Sequence, residues 1–273
     1  MKNSIFTLPL FLINMKKEGK RRKNTLSLLT KLGFTNIFII EPINLKESSK
    51  HPIGKYTKNL NKTSHILTFL SIIKQNKNKY FIIIEDDIIL NNIMVNEAKK
   101  KLDYIWKQAL LNRFDLLYLE YCNSSCFKHK KLNTYLSELS SPFCSAFIVF
   151  SPQSSKVILN DFKNKSIKDL VNPILIPIIK PKYRFGIDEY FAFKINKKEL
   201  KALGYPIFKQ DPTITSSLPG SLRDPKPNFI YKLFLDNNDQ CCIEIFILKI
   251  IVKILILMFL ILMIVYFIYR LYK

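Results

Sequence analysis

Short, continuous runs of apolar residues recur through most of this chain, and they constrain its fold more than any other feature. They are rich in β-branched and aromatic side chains and are bounded by polar residues, as buried strands are. Strands that alternate with helices predict an α/β domain with a mostly parallel sheet covered on both faces. The predicted strands are residues 6–14, 36–40, 80–84, 114–121 and 143–151, and the predicted helices are residues 15–33, 63–74, 96–111 and 154–162.

Proline and glycine mark the segments that we expect to be irregular. Residues 41–62 are polar and contain two prolines and a glycine, so they are predicted to form a loop. Residues 171–183 carry three prolines and are expected to be an extended connection. Residues 186–196 are predicted to mix turn and helix, and residues 206–219 to be extended.

An acidic tripeptide follows one of the predicted strands. In FIIIEDDIIL, residues 81–90, four apolar residues lead into Glu85, Asp86 and Asp87. Ligands of α/β sheets bind beyond the carboxyl ends of the strands, and adjacent carboxylates raise one another's pKa unless a cation offsets their repulsion. A divalent ion with oxygen ligands would do so and keep positions open for phosphate oxygens. The tripeptide therefore predicts a metal that bridges protein and diphosphate; the alternative is a surface turn whose acids pair with lysines.

Positive charge is concentrated in the first part of the chain. The formal net charge is +22, and residues 1–79 hold 16 Lys and Arg against 3 Asp and Glu. Such a field attracts polyanions, namely nucleic acid, anionic lipid or phosphorylated small molecules. Charge alone does not choose among them, and a solvated basic face is the alternative interpretation.

The cysteine pattern indicates free thiols. Five cysteines, an odd number, occur at spacings that fit no disulfide scaffold. Cys122 and Cys126 with His129 lack a clear fourth ligand and the usual spacing of a zinc site. We therefore expect reduced cysteines in a reducing compartment. The remaining cysteines are Cys144, Cys241 and Cys242.

The C-terminal part of the chain is strongly apolar. Residues 254–269 are sixteen apolar residues without interruption, and extension to residue 250 adds a single charge, Lys253. Such a run is long enough to cross a bilayer as a helix, whereas a buried amphipathic helix would have a polar side. Pro9 interrupts the apolar run at residues 5–13, which we interpret as a strand and not as a signal peptide. With one C-terminal anchor, the globular part is expected to face the cytoplasm.

Three regions follow from this pattern. Residues 1–222 are predicted to form the globular domain, residues 223–242 a polar linker and residues 243–273 a membrane anchor.

Five segments occur in a fixed order along residues 5–215. They are FLINMKKEGKRRKNTLSLLTKLGF (11–34), SHILTFLSIIKQNKNKYFIIIEDDIIL (64–90), FDLLYLEY (114–121), FCSAFIVFSPQSSKVIL (143–159) and GIDEYF (186–191). Together they resemble glycosyltransferase family 25, which includes lipooligosaccharide and collagen galactosyltransferases. The most specific part is the pair Ser64 and His65, which precedes the acidic tripeptide by about twenty residues.

The resemblance implies a fold, a reaction and a set of site residues. The fold is of the GT-A type, the donor is a nucleotide sugar (galactose or glucose on uridine diphosphate), and the metal is Mn²⁺ or Mg²⁺. A metal neutralises the charge that develops on a diphosphate leaving group, arginine binds phosphate through its bidentate fork, and a carboxylate takes the proton of an acceptor hydroxyl. The candidate residues are Glu85, Asp86 and Asp87 for the metal, with Asp87 as the first candidate for a direct ligand; Asn14, Arg21, Arg22, Ser64, His65 and Gln210 for substrate; and Asp188, then Glu189, for acceptor activation.

Other interpretations remain open for the residues and for the function. Arg21 and Arg22 could belong to a solvated basic helix, His65 could be a structural hydrogen-bonding residue, and Asp188 could be an ordinary acid at a helix start. For the whole chain, the alternative is a non-catalytic, tail-anchored basic protein that binds anionic lipid or nucleic acid. A phosphatase or nuclease is disfavoured, because such sites draw several Asp and His ligands from separate strands and this chain has only three histidines.

Overall fold

The part of the chain that the structure describes forms ten strands, seven α-helices and a short 3₁₀-helix, Ile5–Thr7. The computed structural model describes residues 4–57, 60–121, 129–140, 142, 146–165, 170 and 186–211, with scattered positions between 251 and 266. The strands are β1 (Leu10–Ile13), β2 (Ile37–Ile40), β3 (Phe81–Glu85), β4 (Ile88–Leu90), β5 (Leu116–Tyr118), β6 (Lys130–Asn133), β7 (Leu136–Glu138), β8 (Phe147–Phe150), β9 (Ala202–Gly204) and β10 (Phe208–Gln210). The helices are α1 (Gly19–Leu32), α2 (Leu45–Lys50), α3 (Gly54–Thr57), α4 (Leu60–Asn76), α5 (Val95–Asn112), α6 (Pro152–Asn164) and α7 (Ile187–Asn196).

A central sheet of eight strands organises the domain in the order β2-β1-β3-β8-β5-β9-β7-β6. Strands β1, β2 and β3 pair in parallel, and so do β5 and β9. Strand β8 lies antiparallel between β3 and β5, and β7 lies antiparallel between β9 and β6. The predicted α/β class and mostly parallel sheet are therefore confirmed at this level. Because β8 is buried on both faces, its sequence FIVF looks the same as that of a parallel strand.

Helices cover both faces of this sheet, and alternate residues of β3 point to the two sides. Ile82 and Ile84 pack in one core with residues of α1 and α5. Phe81 and Ile83 pack in the other core with residues of α4, α6 and α7. A strand buried on both faces has no polar alternation, and this is why it is recognisable as a continuous apolar run.

The predicted loop at residues 41–62 is wrong in part. Helices α2 and α3 lie within it, and α4 extends back to Leu60, ahead of the predicted start at residue 63. Asn44 caps α2, because its side-chain oxygen accepts a hydrogen bond from the backbone N–H of Glu47 at 2.8 Å. A capping residue makes such a short helix possible without the apolar periodicity from which helices are predicted.

The first predicted strand is also shorter than expected. Of residues 6–14, only Leu10–Ile13 are in β1, and the preceding apolar residues form the 3₁₀-helix. Pro9 separates the two, since proline has no N–H to donate to a sheet ladder. Three- and four-residue strands such as β4, β6, β7 and β9 were not predicted, because they are too short to show a period of two.

Several predictions concern residues outside the described part. They include the extended connection at residues 171–183, most of residues 206–219, the linker and all five cysteines. The described positions between Ile251 and Tyr266 are helical and exposed. No helix among the described residues has the length and hydropathy of a membrane span.

Candidate functional site

The carboxyl ends of three central strands lie at one edge of the sheet, and polar residues follow each of them. Asn14 follows β1, the acidic tripeptide begins at the end of β3, and Glu120 lies two residues beyond β5. The N-terminal end of β8 joins the last two, because Glu85 N–H donates to the Ala146 carbonyl at 2.9 Å. This edge is where α/β sheets bind their ligands.

On the α1 side of this edge, the buried Asn14 and the half-buried Asp86 form a hydrogen-bonded pair. The Asn14 side-chain N–H₂ donates to Asp86 Oδ2 and to the backbone carbonyl of Glu18, the latter at 3.2 Å. Thr25 of α1 donates its hydroxyl to the Asp86 carbonyl at 2.9 Å, which fixes the turn after β3. Because Asp86 Oδ2 and the Glu18 carbonyl are both acceptors, the Asn14 atom that faces them must be the side-chain nitrogen, and this fixes the orientation of the amide. Asn14 is 2% exposed, and its Oδ1 has no hydrogen-bond partner among the described residues.

The Asp86 carboxyl group lies in an environment that favours its neutral form. Burial, followed by the negative charges of Glu85 and Glu18, raises its pKa above the usual 3.8. The hydrogen bond from Asn14 and the positive charge of Arg21 oppose this increase without cancelling it. Arg21 also pairs with Glu18 at 3.3 Å. A cation placed here would be stabilised by the ionised form of Asp86.

On the α4 and α7 side, a second group of titratable residues lies against the end of β3. His65 Nε2 of α4 is 3.1 Å from Glu85 Oε1. The charges of Asp188 and Glu189, in the first turn of α7, both act on His65. Lys62 Nζ is 3.4 Å from Glu189 Oε1. The structure thus brings Asp188 and Glu189 next to residues 62–85, from which they are separated by more than a hundred positions in the sequence.

Glu120 belongs to the same side, and it was not predicted. It is 2% exposed, and its Oε2 accepts a hydrogen bond from the Ala146 N–H at 3.3 Å. Burial and the charges of Asp188 and Glu120 raise the pKa of Tyr118 well above 10.0, so both carboxyl groups act near this ring. The only signal in the sequence is an acid at the end of the apolar run FDLLYLEY.

The three consecutive acidic residues have different neighbours. Glu85 contacts His65 of α4, whereas Asp86 contacts Asn14 and α1. Asp87 is 8% exposed, and its carbonyl accepts a hydrogen bond from the Asp211 N–H at 2.6 Å. Gln210 lies next to this contact, because it pairs with Ile88 in the two-stranded sheet of β10 and β4.

Two predicted substrate-binding residues are less closely tied to this edge. The Ser64 hydroxyl donates to the Ile43 carbonyl, so it anchors the connection between β2 and α2. Arg22 lies in the first turn of α1 and is partly exposed. The role of Ser64 and of Arg22 in substrate binding remains a prediction.

The residues on the α1 side fit a divalent metal held by few protein ligands. No three His, Cys, Asp or Glu side chains among the described residues form a group that could hold a metal ion. Mg²⁺ and similar hard ions use oxygen ligands, and they often take only one or two carboxylates together with substrate phosphates and water. Asp86, Asp87 and the buried Asn14 Oδ1 are oxygen donors of this kind. The set suits such an ion and does not suit a metal enclosed by protein alone.

The His65 imidazole provides a test of the second group. Burial is the largest influence and lowers its pKa, but the hydrogen bond and charge of Glu85, with the charges of Asp188 and Glu189, raise it above 6.5. A group whose pKa is raised by folding stabilises the fold; this contribution is complete at pH values below the unfolded pKa of 6.5 and is lost as the pH rises through the folded-state pKa.

We expect Glu85→Gln to lower the His65 pKa, measured by NMR titration of the imidazole in the full chain. Glu97→Gln on α5 is the matched control, and an unchanged titration in Glu85→Gln would contradict the arrangement.

Comparison with known proteins gives similarity of structure only. No family model matches the chain, and no curated protein matches it. It is similar to a UDP-glucose pyrophosphorylase complexed with UDP-glucose, with 8% identity, a TM-score of 0.44 and coverage of 75% of this chain and 92% of that one. It is also similar to the glycosyltransferase GlyE of Streptococcus pneumoniae TIGR4, with 10% identity, a TM-score of 0.37 and coverage of 80% and 58%. A glycosyltransferase involved in glycosylation of the major capsid of PBCV-1 gives 11% identity, a TM-score of 0.34 and coverage of 80% and 95%. Similarity at this level assigns no family.

Proposed function

We propose that this chain is a membrane-anchored glycosyltransferase of the family 25 type. It transfers a hexose, galactose or glucose, from a nucleotide diphosphate sugar to a glycan or protein acceptor with the help of Mn²⁺ or Mg²⁺. The observation that carries the proposal is that the residues at the carboxyl ends of the strands form two groups, one on the α1 side and one on the α4 and α7 side. Asn14 and Asp86 lie with the cationic start of α1, and a group of carboxylates lies with α4 and α7.

The α1 side has the chemistry expected of a donor site. Arg21 provides a positive charge beside Asp86, and the first turn of α1 contains no acidic residue. The N–H groups at a helix N-terminus favour anions such as a diphosphate. Asn14 Oδ1 is a buried acceptor that a ligand hydroxyl, a base N–H or a metal would satisfy.

The α4 and α7 side has the chemistry expected of an acceptor site. A transferred sugar needs a nucleophilic hydroxyl, and a carboxylate near it accepts the proton as the new bond forms. Asp188 is our first choice for this base and Glu189 the second. Lys62 places a positive charge against Glu189, and the raised pKa of His65 favours a proton on the imidazole beside Glu85, so that the carboxylates of this side do not simply repel one another.

The proposed metal belongs to the α1 side, together with the donor. Asp87 and Asp86 would hold it, with Asn14 Oδ1 as a third oxygen donor. When bound, such an ion neutralises the diphosphate leaving group. The residues of the chain orient the donor and exclude water from it.

The membrane anchor is part of the same proposal. Residues 250–269 contain one charge in twenty positions, which is typical of a single span. The globular part would then face the cytoplasm, next to the bilayer.

Metal-dependent binding of a nucleotide sugar tests the proposal directly. The full chain in detergent should bind one uridine diphosphate sugar more tightly with Mn²⁺ than without it, and release the nucleoside diphosphate when an acceptor is present. Asp87→Asn should weaken the metal-dependent binding at least about tenfold, because even outer-shell partners of metal ligands contribute about 10–100-fold to metal affinity. Calorimetry measures the binding, and a coupled assay measures the release.

A matched control separates this effect from a general loss of charge. Asp103 on α5 is exposed and, within the described ranges, pairs only with Lys107 in the same helix, so Asp103→Asn removes the same charge away from the edge. It should bind the donor as the unaltered chain does. A folded chain that binds no nucleotide sugar with either metal would contradict the proposal.

A further inference from the structure

Four exposed lysines surround the start of α1. Lys16, Lys17, Lys20 and Lys23 are all exposed, and we refer to them as the basic surface. The first turn of the helix contains no acidic residue, and its N-cap, Glu18, makes no side-chain capping hydrogen bond. Cations near a helix N-terminus are unfavourable because the helix dipole is positive there. These lysines therefore place positive charge where it is electrostatically unfavourable for the folded chain by itself.

The rest of the domain does not neutralise this charge. Within the described part of the chain, Glu18 pairs with Arg21, and none of the four lysines takes part in an ion pair. The surface is therefore available to an external anion.

We propose that the basic surface binds the headgroups of anionic lipids. This inference rests on the proposed function in one respect, namely that residues 250–269 hold the domain beside a bilayer. Clusters of four to eight Lys or Arg near a membrane-inserted segment are attracted to the negative surface of a cytoplasmic leaflet. Tethering makes the contact intramolecular, so that even weak attraction to lipid becomes effective.

A lipid surface fits these lysines better than a single diphosphate does. Lys16 and Lys17 lie in the turn before α1, Lys20 and Lys23 lie in its first two turns, and all four side chains are exposed. Arg21 is the cation that acts on Asp86, so it serves the donor side. Lysine is a flexible point charge, which suits mobile headgroups, whereas a fixed phosphate favours the arginine fork.

The contact would orient the candidate site. Helix α1 follows β1, so the basic surface lies at the same edge of the sheet as Asn14 and Asp86. Binding to lipid through this surface turns that edge towards the bilayer. The acceptor side then opens close to the membrane surface.

Lysine footprinting of the full chain in vesicles tests the proposal. The chain is inserted into phosphatidylcholine vesicles or into vesicles with about 30% phosphatidylserine, and the acetylation rate of each lysine is measured by mass spectrometry. We expect the four lysines of the basic surface to be acetylated several-fold more slowly in the phosphatidylserine vesicles. About 0.5 M NaCl should remove most of the protection, since it shortens the screening length.

Four other lysines are the internal control. Lys77 and Lys79 precede β3, and Lys197 and Lys198 precede β9, so they lie at the opposite edge of the sheet. All four are exposed. Their acetylation should be the same in both vesicles. Equal rates for the basic surface in the two vesicles would overturn the proposal, and so would protection by uridine diphosphate or by single-stranded RNA without protection by phosphatidylserine.

A pair of charge-matched variants gives a second measurement. Changing the four lysines of the basic surface to Glu should abolish the preference of the full chain for phosphatidylserine over phosphatidylcholine vesicles in flotation. Changing the four control lysines to Glu alters the net charge equally and should leave the preference in place. Equal losses in the two variants would mean that total charge alone is responsible, which overturns the proposal. Neither readout needs turnover, so failure of the glycosyltransferase assay and failure of this proposal are distinguishable.

Discussion

Replacing Asp161 by Ala is expected to lower the free energy of unfolding by about 3–5 kcal/mol, because it leaves a buried lysine without its buried partner. Asp161 of α6 and Lys194 of α7 are 3% and 2% exposed, and Lys194 Nζ lies 2.6 Å from Asp161 Oδ2. The Tyr190 hydroxyl donates to the same oxygen at 2.9 Å, and Lys165 Nζ is 2.7 Å from Oδ1. Lys194 also contacts Glu199, which is more exposed. This network fastens α7, and with it Asp188 and Glu189, to α6.

The matched control for this variant is Asp103→Ala. Its carboxylate is also 2.6 Å from a lysine four residues away, Lys107, but both side chains are exposed. Exposed pairs of this kind contribute about 0.3–0.5 kcal/mol. Chemical denaturation of the two variants in detergent measures the difference. If both lost the same small amount, the buried network would not be a significant source of stability.

The pH dependence of stability should follow from the same network. Burial raises the pKa of Asp161, but hydrogen bonds from Lys165, Lys194 and Tyr190 outweigh it and lower the pKa below 3.8. A lowered pKa stabilises the fold above 3.8, and this contribution is lost as the pH falls through the folded-state pKa. The unaltered chain should lose stability in that acid range, whereas Asp161→Ala should lose less.

Much of the candidate edge could be predicted from the sequence, because strand and acids are adjacent in the chain. The run FIII leading into Glu85 identifies β3 and its carboxyl end at once. The separation of Glu85 from Asp86 also follows from local geometry. Successive side chains of a strand point to opposite faces, so neighbouring acids at a strand end tend to face different helices.

What the sequence did not reveal depends on contacts between distant segments. Glu120 is an ordinary acid in FDLLYLEY, and only the pairing of β5 with β8 brings it to Ala146 and towards Asp188. Lys194 lies in an apolar stretch of α7, and no local pattern indicates that its partner is on α6. The direction of β8 is likewise a property of the whole sheet, since antiparallel and parallel strands buried on both faces have the same composition.

Replacing Asp188 by Asn is expected to lower the turnover of the bound donor by about 10²–10⁴-fold, the range that general base catalysis contributes. Asp188 acts electrostatically on both His65 and Tyr118, so it lies near α4 and near the end of β5. Because the donor is assigned to the α1 side, the dissociation constant of the nucleotide sugar should remain unchanged in this variant. Calorimetry and single-turnover kinetics on the full chain measure the two quantities separately.

Glu189→Gln is the comparison that makes this result specific. Asp188 and Glu189 are both in the first turn of α7, so each variant loses a similar favourable interaction with the helix dipole. Glu189 already pairs with Lys62, and its replacement should reduce turnover much less than Asp188→Asn does. A larger loss of turnover in Glu189→Gln than in Asp188→Asn would mean that Glu189, and not Asp188, accepts the proton. Weaker donor binding in Asp188→Asn with unchanged turnover would place Asp188 on the donor side instead, and the division of the edge into donor and acceptor sides would then be wrong.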